Sequence, residues 1–391
     1  MSRAPMRSGL DGDRDGAPVQ VPNPPAERDE EDEHGLEITT RGLLTLGGFL
    51  AAAIAALYFL LPQVAGLGDT WHRIRDGSPW WMGMALVFTV GMFGGYVMQF
   101  RGVFLRAKGG HRIGWRAAYE ITMAGLAASR LFAAGGAGGL VLTAWALRRS
   151  GMRRRDVSDT TLAFLILTYI PYVLALILCG LGLRMGLFGG EAPFTLTVVP
   201  AIVAGVALLF GLAVALVPTD LQRRVEGFAR QRGRVGRLAQ KLANAPASAS
   251  AGMRLALEHA RSGNLALLGA FLFWGFQILV LWAAFRAFGA SPSAAVLVQA
   301  FFVGMLGNLL PLPGGVGGVE GGMIGAFVAF DVDSGLAVVA VLVYRGFTFW
   351  LPLVPGVIAY FQLRRTVDGW RGTIQSEVKD PAKGANAVHG T

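Results

Sequence analysis

Three charged residues stand inside stretches that are otherwise apolar: Arg130, Glu320 and Arg345. A charge near the bilayer centre costs at least about 2.5 kcal/mol on insertion scales, so each needs a partner or a task. Arg130 comes just before the run Gly135-Gly-Ala-Gly-Gly139, and Glu320 comes just after Gly314-Gly-Val-Gly-Gly318. Glycine at this density interrupts a helix, because each costs about 1 kcal/mol relative to Ala in a helix interior. A helix that restarts at membrane depth presents unpaired backbone N–H groups, and these bind anions. Glu320 falls in the first turn of such a half-helix, where a carboxylate complements the dipole; Arg130 and Arg345 are its candidate partners. An arginine left over from that pairing carries a planar fork suited to phosphate. The expected chemistry is recognition of an anion by Arg130, Glu320 and Arg345. Asn308 could add a donor or acceptor, and Gly135, Gly136, Gly138, Gly139, Gly314, Gly315, Gly317 and Gly318 would let a headgroup approach the backbone. Pro311 and Pro313 remove two donors and stiffen the second turn.

Other chemistries find less support. The pair Asp331 and Asp333 resembles a short acidic signature for metal-dependent glycosyl transfer, yet Asp333, followed by Ser334 and Gly335, also reads as a helix N-cap. No His/Cys metal spacing, no Ser/His/Asp arrangement and no Gly-x-x-x-x-Gly-Lys-Ser/Thr loop occurs. No catalytic residue, metal or cofactor is therefore expected. A single cysteine, Cys179, admits no intramolecular disulfide.

The elements that must position the charges are membrane helices. Apolar residues make up 53% of the chain and charged residues 15%, too little polar surface for a soluble protein of 391 residues. A spanning helix needs roughly 20 apolar residues to cross a core of about 30 Å. Complete spans are predicted at 42–62, 79–100, 158–183, 193–218, 264–288 and 336–361, with glycine-cut apolar regions at 117–147 and 293–330. The formal net charge of +10 does not point to nucleic acid, because Lys and Arg cluster beside the apolar runs, where membrane topology places them. Arg101, Arg106, Lys108, Arg112 and Arg116 precede the first glycine-cut region, and Arg148, Arg149, Arg153, Arg154 and Arg155 follow it. Both flanks then belong on the cytoplasmic side, so the region enters and leaves from that side as a re-entrant hairpin.

Continuing the count puts 219–263, with seven Lys/Arg between 223 and 241, back in the cytoplasm, and makes the second region a hairpin from the outside. The fold class predicted is an all-α polytopic membrane bundle of about six spans plus two glycine-tipped re-entrant hairpins in an inverted repeat, a recurrent transporter architecture. Segment 219–263 is basic and amphipathic, suited to the cytoplasmic interface. Residues 1–40, rich in Pro, Gly and acid, and 366–391 are expected to be disordered cytoplasmic tails. Both termini are then cytoplasmic, in a multi-pass protein of the cytoplasmic membrane. Glu120 and Arg101, nearer the helix ends, are expected to snorkel.

The run Asn308-Leu-Leu-Pro-Leu-Pro-Gly-Gly-Val-Gly-Gly-Val-Glu320, with Tyr344-Arg-Gly-Phe-Thr-Phe-Trp350 after it, resembles the lysyl-phosphatidylglycerol synthase transmembrane region, a family of flippase-like proteins. The resemblance covers roughly 40–365, and Trp145-Ala-Leu-Arg-Arg-Ser-Gly-Met152 extends it to the first half. It implies lipid translocation between leaflets, with Glu320 and Arg345 at the family's polar positions. It does not imply lysyl transfer, since only 30 residues follow the last predicted span. Where many relatives place an acidic residue and an arginine after the first glycine turn, Leu140, Val141 and Leu142 stand here. The leading expectation is a non-enzymatic flippase or transporter of an anionic or phosphate-bearing lipid. The alternatives are an extracytoplasmic transferase acting on a lipid-linked sugar and a proton-coupled small-solute transporter.

Overall fold

The computed structural model describes residues 76–105, 107, 113–131, 137–188, 193–216, 252–259, 265–310 and 315–379. The predicted span 42–62, the tail 1–40, most of 219–263 and the tip glycines Gly135, Gly136 and Gly314 lie outside the described residues, as do Pro311 and Pro313. The chain is an all-α polytopic membrane protein. Its helices are α1 (Pro79–Phe104), α2 (Trp115–Leu131), α3 (Ala137–Arg149), α4 (Arg154–Arg184), α5 (Phe194–Leu216), α6 (Leu265–Ala287), α7 (Ala294–Met305), α8 (Gly318–Ala329), α9 (Ser334–Arg345) and α10 (Leu353–Lys379). A 3-10 turn, Leu306–Leu309, extends α7, a π-turn, Gly346–Trp350, joins α9 to α10, and a short helix occupies 252–259. Stretches Pro79–Phe104, Arg154–Arg184, Phe194–Ala213, Leu265–Ala287 and Ser334–Trp370 are long and apolar enough to cross a bilayer. They coincide with the five predicted spans that fall within the described residues.

The last span, predicted over 336–361, falls inside the apolar stretch Ser334–Trp370, within which a π-turn at Gly346–Trp350 and Pro352 depart from regular α-helix. One expectation is corrected. The C-terminal part does not become irregular at 366: α10 runs to Lys379, because Val367 is buried in the core and the Thr366 hydroxyl bonds Glu120 on α2. Residues 380–391 lie outside the described residues.

Glycine sets how the long helices meet. α1 and α6 lie antiparallel along their whole length, from Trp81 against Trp282 at one end to Gly102 against Ala266 at the other. A Cβ on Gly269 would stand 2.5 Å from the Gln99 nitrogen and 2.6 Å from the Gly95 oxygen, both backbone atoms that cannot step aside. Small residues let two backbones approach this closely where no water drives helices together. Gly269→Ala is therefore expected to cost about 1–3 kcal/mol by overpacking. Gly275→Ala on the same helix, with nothing within 4 Å of the added atom, should be neutral or stabilise by up to about 1 kcal/mol. Thermal unfolding of both variants in one detergent checks the contrast.

The two glycine-cut regions form antiparallel helix pairs. In the first, Gly125 on α2 packs on Gly139 and Thr143 of α3; in the second, Gly304 and Gly307 pack on Met323, Gly322 and Gly318 of α8. The arms contain 17, 13, 16 and 12 residues, the third counted with its 3-10 turn, so at 1.5–2.0 Å per residue they measure about 18–26 Å. That is short of the ~30 Å hydrocarbon core. Each pair leans on the other half of the chain. α2 packs on α10, with Gly356 against Ala127 and Met123, while α7 packs on α4, where the Tyr172 hydroxyl donates to the Phe302 carbonyl at 2.7 Å.

Candidate functional site

Glu320 is placed by the turn before it. Gly315 and Gly317 adopt φ of 68° and 86°, left-handed values that glycine reaches without strain, and α8 starts at Gly318. Three residues into the helix, one Glu320 oxygen accepts from the Gly317 N–H at 2.7 Å, closing the acidic half of a capping box. The other oxygen accepts from Arg345 Nε at 2.6 Å. Carboxylate and guanidinium side chains are 0% and 7% exposed, so the pair is buried. Of the two arginines open to Glu320 from sequence, the structure selects Arg345.

Arg130 meets a different partner. Pro352 has no N–H, so the carbonyl of Thr348, four residues earlier, lacks its usual helical donor. The preceding turn widens into a π-turn, with the Leu351 N–H reaching back to the Gly346 carbonyl at 2.9 Å. Arg130 supplies the missing donors. Its Nη2 reaches the Thr348 carbonyl at 2.9 Å and its Nη1 the Phe349 carbonyl at 3.1 Å. Both arginines also use the Phe349 ring: the guanidinium carbon of Arg345 lies 4.2 Å from its centroid and that of Arg130 5.1 Å. Residues from three separated stretches thus form one chain of contacts: Arg130 at the end of α2, Phe349 in the π-turn, Arg345 at the end of α9 and Glu320 at the start of α8. Arg130 remains half-buried. Nearby, the Tyr344 hydroxyl donates to Gln277 of α6 at 2.8 Å, and the Thr348 hydroxyl to the Tyr344 carbonyl at 2.8 Å.

The remaining predicted positions are spread more widely. Gly315 is buried against Asn308, whose exposed side chain faces Met305 and makes no bond to the three charges among the described residues. Gly318 abuts Gly307, and Gly138 and Gly139 open α3, with Gly139 pressed on Ser129, the neighbour of Arg130. Glu120 does not snorkel: it is fully buried, accepting from Arg116 at 2.9 Å and from Thr366 at 2.6 Å, because α10 covers it. Arg101 lies over the Trp115 ring, 4.5 Å from its centroid. Asp333 caps α9 by accepting from the Leu336 N–H at 2.9 Å, and Asp331 sits exposed at φ 63° in the turn before it.

Sequence reasoning missed Phe349, Thr348 and Pro352. The available signal was a repeated tetrad: Thr168-Tyr-Ile-Pro171 in α4 recurs as Thr348-Phe-Trp-Leu-Pro352 with one residue more. A π-turn accommodates one extra residue per turn. In both copies the threonine carbonyl takes a donor from another helix, Trp274 Nε1 at 2.6 Å in the first and Arg130 in the second.

Residues 46–356 match the family described as the lysylphosphatidylglycerol synthase TM region. A protein named UPF0104 membrane protein, from Methanothermobacter thermautotrophicus, is 24% identical over 316 residues, covering 78% of this chain and 91% of the relative. Two further matches to proteins of that name in the same organism, 39% and 34% identical, each cover 22% of this chain. The match takes in α1 to α9 and the whole contact chain from Arg130 to Glu320, and the protein belongs to the lysylphosphatidylglycerol synthase transmembrane-region family.

Proposed function

We propose that the protein is a non-enzymatic lipid flippase or transporter that carries an anionic or phosphate-bearing lipid between leaflets of the cytoplasmic membrane. One observation carries this reading: of two arginines at the same phenyl ring, one is neutralised by a buried carboxylate while the other, half-buried, meets backbone carbonyls and the ring but no carboxylate among the described residues. Carbonyl oxygens are weaker partners for a guanidinium than a phosphate, which can take the fork in bidentate fashion. A lipid phosphate reaching Arg130 would exchange neutral acceptors for a charged one while its acyl chains stayed in the bilayer. The short helix pairs α2/α3 and α7/α8 are then re-entrant hairpins, and the antiparallel α1/α6 contact is the axis of an inverted repeat. The basic flanks support a cytoplasmic position for both termini. Membership of a family named for a phospholipid synthase supports a lipid role.

The test is reconstitution of the full chain into vesicles with fluorescent phospholipids in trace amount, followed by bleaching of the outer leaflet. The protein should raise the bleachable fraction above the half seen in empty vesicles. A broad panel of phospholipids and polyprenyl phosphates that all stay put would overturn the proposal. The transferase alternative is weakened by Asp333, whose carboxylate is occupied as a cap. Changing Asp331 and Asp333 together to Asn is expected to leave lipid movement within about twofold of wild type and to cost about 1 kcal/mol or less of stability. Loss of function with an intact fold in that variant would favour the transferase.

A further inference from the structure

The charges of the site do not sum to zero. Both Glu320 oxygens accept hydrogen bonds, from Arg345 Nε and from the Gly317 N–H. An ionised carboxylate accepts at both oxygens, whereas the acid must donate from one. Glu320 therefore cancels Arg345. Arg130 is answered by two neutral carbonyls and an aromatic face, and no carboxylate among the described residues pairs with it. One carboxylate and two guanidiniums leave a single net positive charge in apolar surroundings.

We infer that the charged site is matched to a lipid whose headgroup carries one net negative charge, an amine-free phosphodiester. The inference rests on the transport reading and names its substrate class. A phosphodiester brings the site to neutrality. A phosphomonoester or diphosphate leaves negative charge in excess at membrane depth. A zwitterionic headgroup sets an ammonium beside two guanidiniums, and the carboxylate that could offset it, Glu320, is 0% exposed and already neutralised by Arg345. An uncompensated charge in a desolvated site is costly in either case.

Three fluorescent lipids with the same acyl chains isolate headgroup charge: phosphatidylmethanol, phosphatidylcholine and phosphatidic acid. They are compared in phosphatidylcholine vesicles at about pH 8, where a phosphomonoester with a second pKa near 6 is a dianion. Wild-type protein should move phosphatidylmethanol at least about tenfold faster than either of the others. Glu320→Gln raises the site charge by one and should reverse the order of phosphatidic acid and phosphatidylmethanol. Arg130→Gln, which leaves the Glu320–Arg345 pair intact, should shrink the gap between phosphatidylmethanol and phosphatidylcholine to about twofold or less. The wild-type comparison needs neither variant to fold. Equal rates for the three lipids overturn the charge match and leave transport standing; no movement of any lipid by monodisperse protein overturns both.

Discussion

Arg130→Gln is expected to slow the movement of an anionic phospholipid by on the order of 100-fold, the equivalent of ~3 kcal/mol, while the protein remains folded. The large effect on transport follows from what Arg130 has to give. It is the one arginine at the Phe349 ring without a carboxylate among the described residues, and truncating one partner of a desolvated charge pair costs about 2–5 kcal/mol. The small effect on folding follows from what Arg130 holds. Its two bonds go to the carbonyls of Thr348 and Phe349. A glutamine amide can keep one of them, so stability should fall by only about 1–2 kcal/mol. Arg130→Lys retains the charge but not the fork and should give an intermediate rate. The two readouts are the vesicle assay and thermal unfolding in the same detergent. Wild-type transport by Arg130→Gln would mean that the guanidinium only braces the π-turn.

The division between what could be read from residues and what could not has a physical basis. Spans were legible because lipid imposes a length and a composition that no other solvent does. Short arms around the glycine runs were legible as well, since glycine interrupts a helix whatever surrounds it. Glu320 could be placed in the first turn of a half-helix, but its choice of Arg345 over Arg130 is a matter of which helix ends meet, and no local pattern encodes that. The π-turn was hidden for a related reason. Residues 336–361 are apolar throughout apart from Arg345, so they read as one span. Pro352 and Pro355 signal freed carbonyls without saying where they find donors, and only the comparison with Thr168-Tyr-Ile-Pro171 exposes the extra residue. Glu120 misled in the opposite direction. Its position near a helix end suggested access to water, whereas the continuation of α10 past Thr366 buries it. The polar C-terminal segment reads as a tail until Val367 and Thr366 find α2.

Symmetry between the halves is imperfect where it matters. Both have a pair of short helices cut by glycine, and both have a Thr carbonyl near a proline that accepts a side-chain bond from another helix. Only the second half carries the Glu320–Arg345 pair, while Leu140, Val141 and Leu142 stand after the first tip. The first half contributes Arg130 across to the second half's π-turn. A single charged site built by one arm from each half, rather than two equivalent sites, suits a carrier that handles one headgroup at a time.

That asymmetry makes the Glu320–Arg345 pair the place where stability and transport can be separated. Glu320→Ala leaves the Arg345 guanidinium, 7% exposed, without its carboxylate, and Arg345→Met leaves the Glu320 carboxylate, 0% exposed, with only the Gly317 N–H. Either single change should cost about 3–5 kcal/mol, because it strands a buried charge. The double variant Glu320→Gln with Arg345→Met removes both charges and keeps an acceptor for the Gly317 N–H, so it should recover most of that loss. A coupling of at least about 2 kcal/mol is expected from the cycle of thermal or chemical unfolding. Transport discriminates what the pair is for. A brace alone would be replaceable by neutral side chains, and the refolded double variant would move lipid normally. If instead Arg345 faces the headgroup beside Arg130 over the Phe349 ring, stability should return without transport. The double variant should then remain at least about tenfold slower than wild type, since its site has lost one of the two guanidiniums that flank the ring.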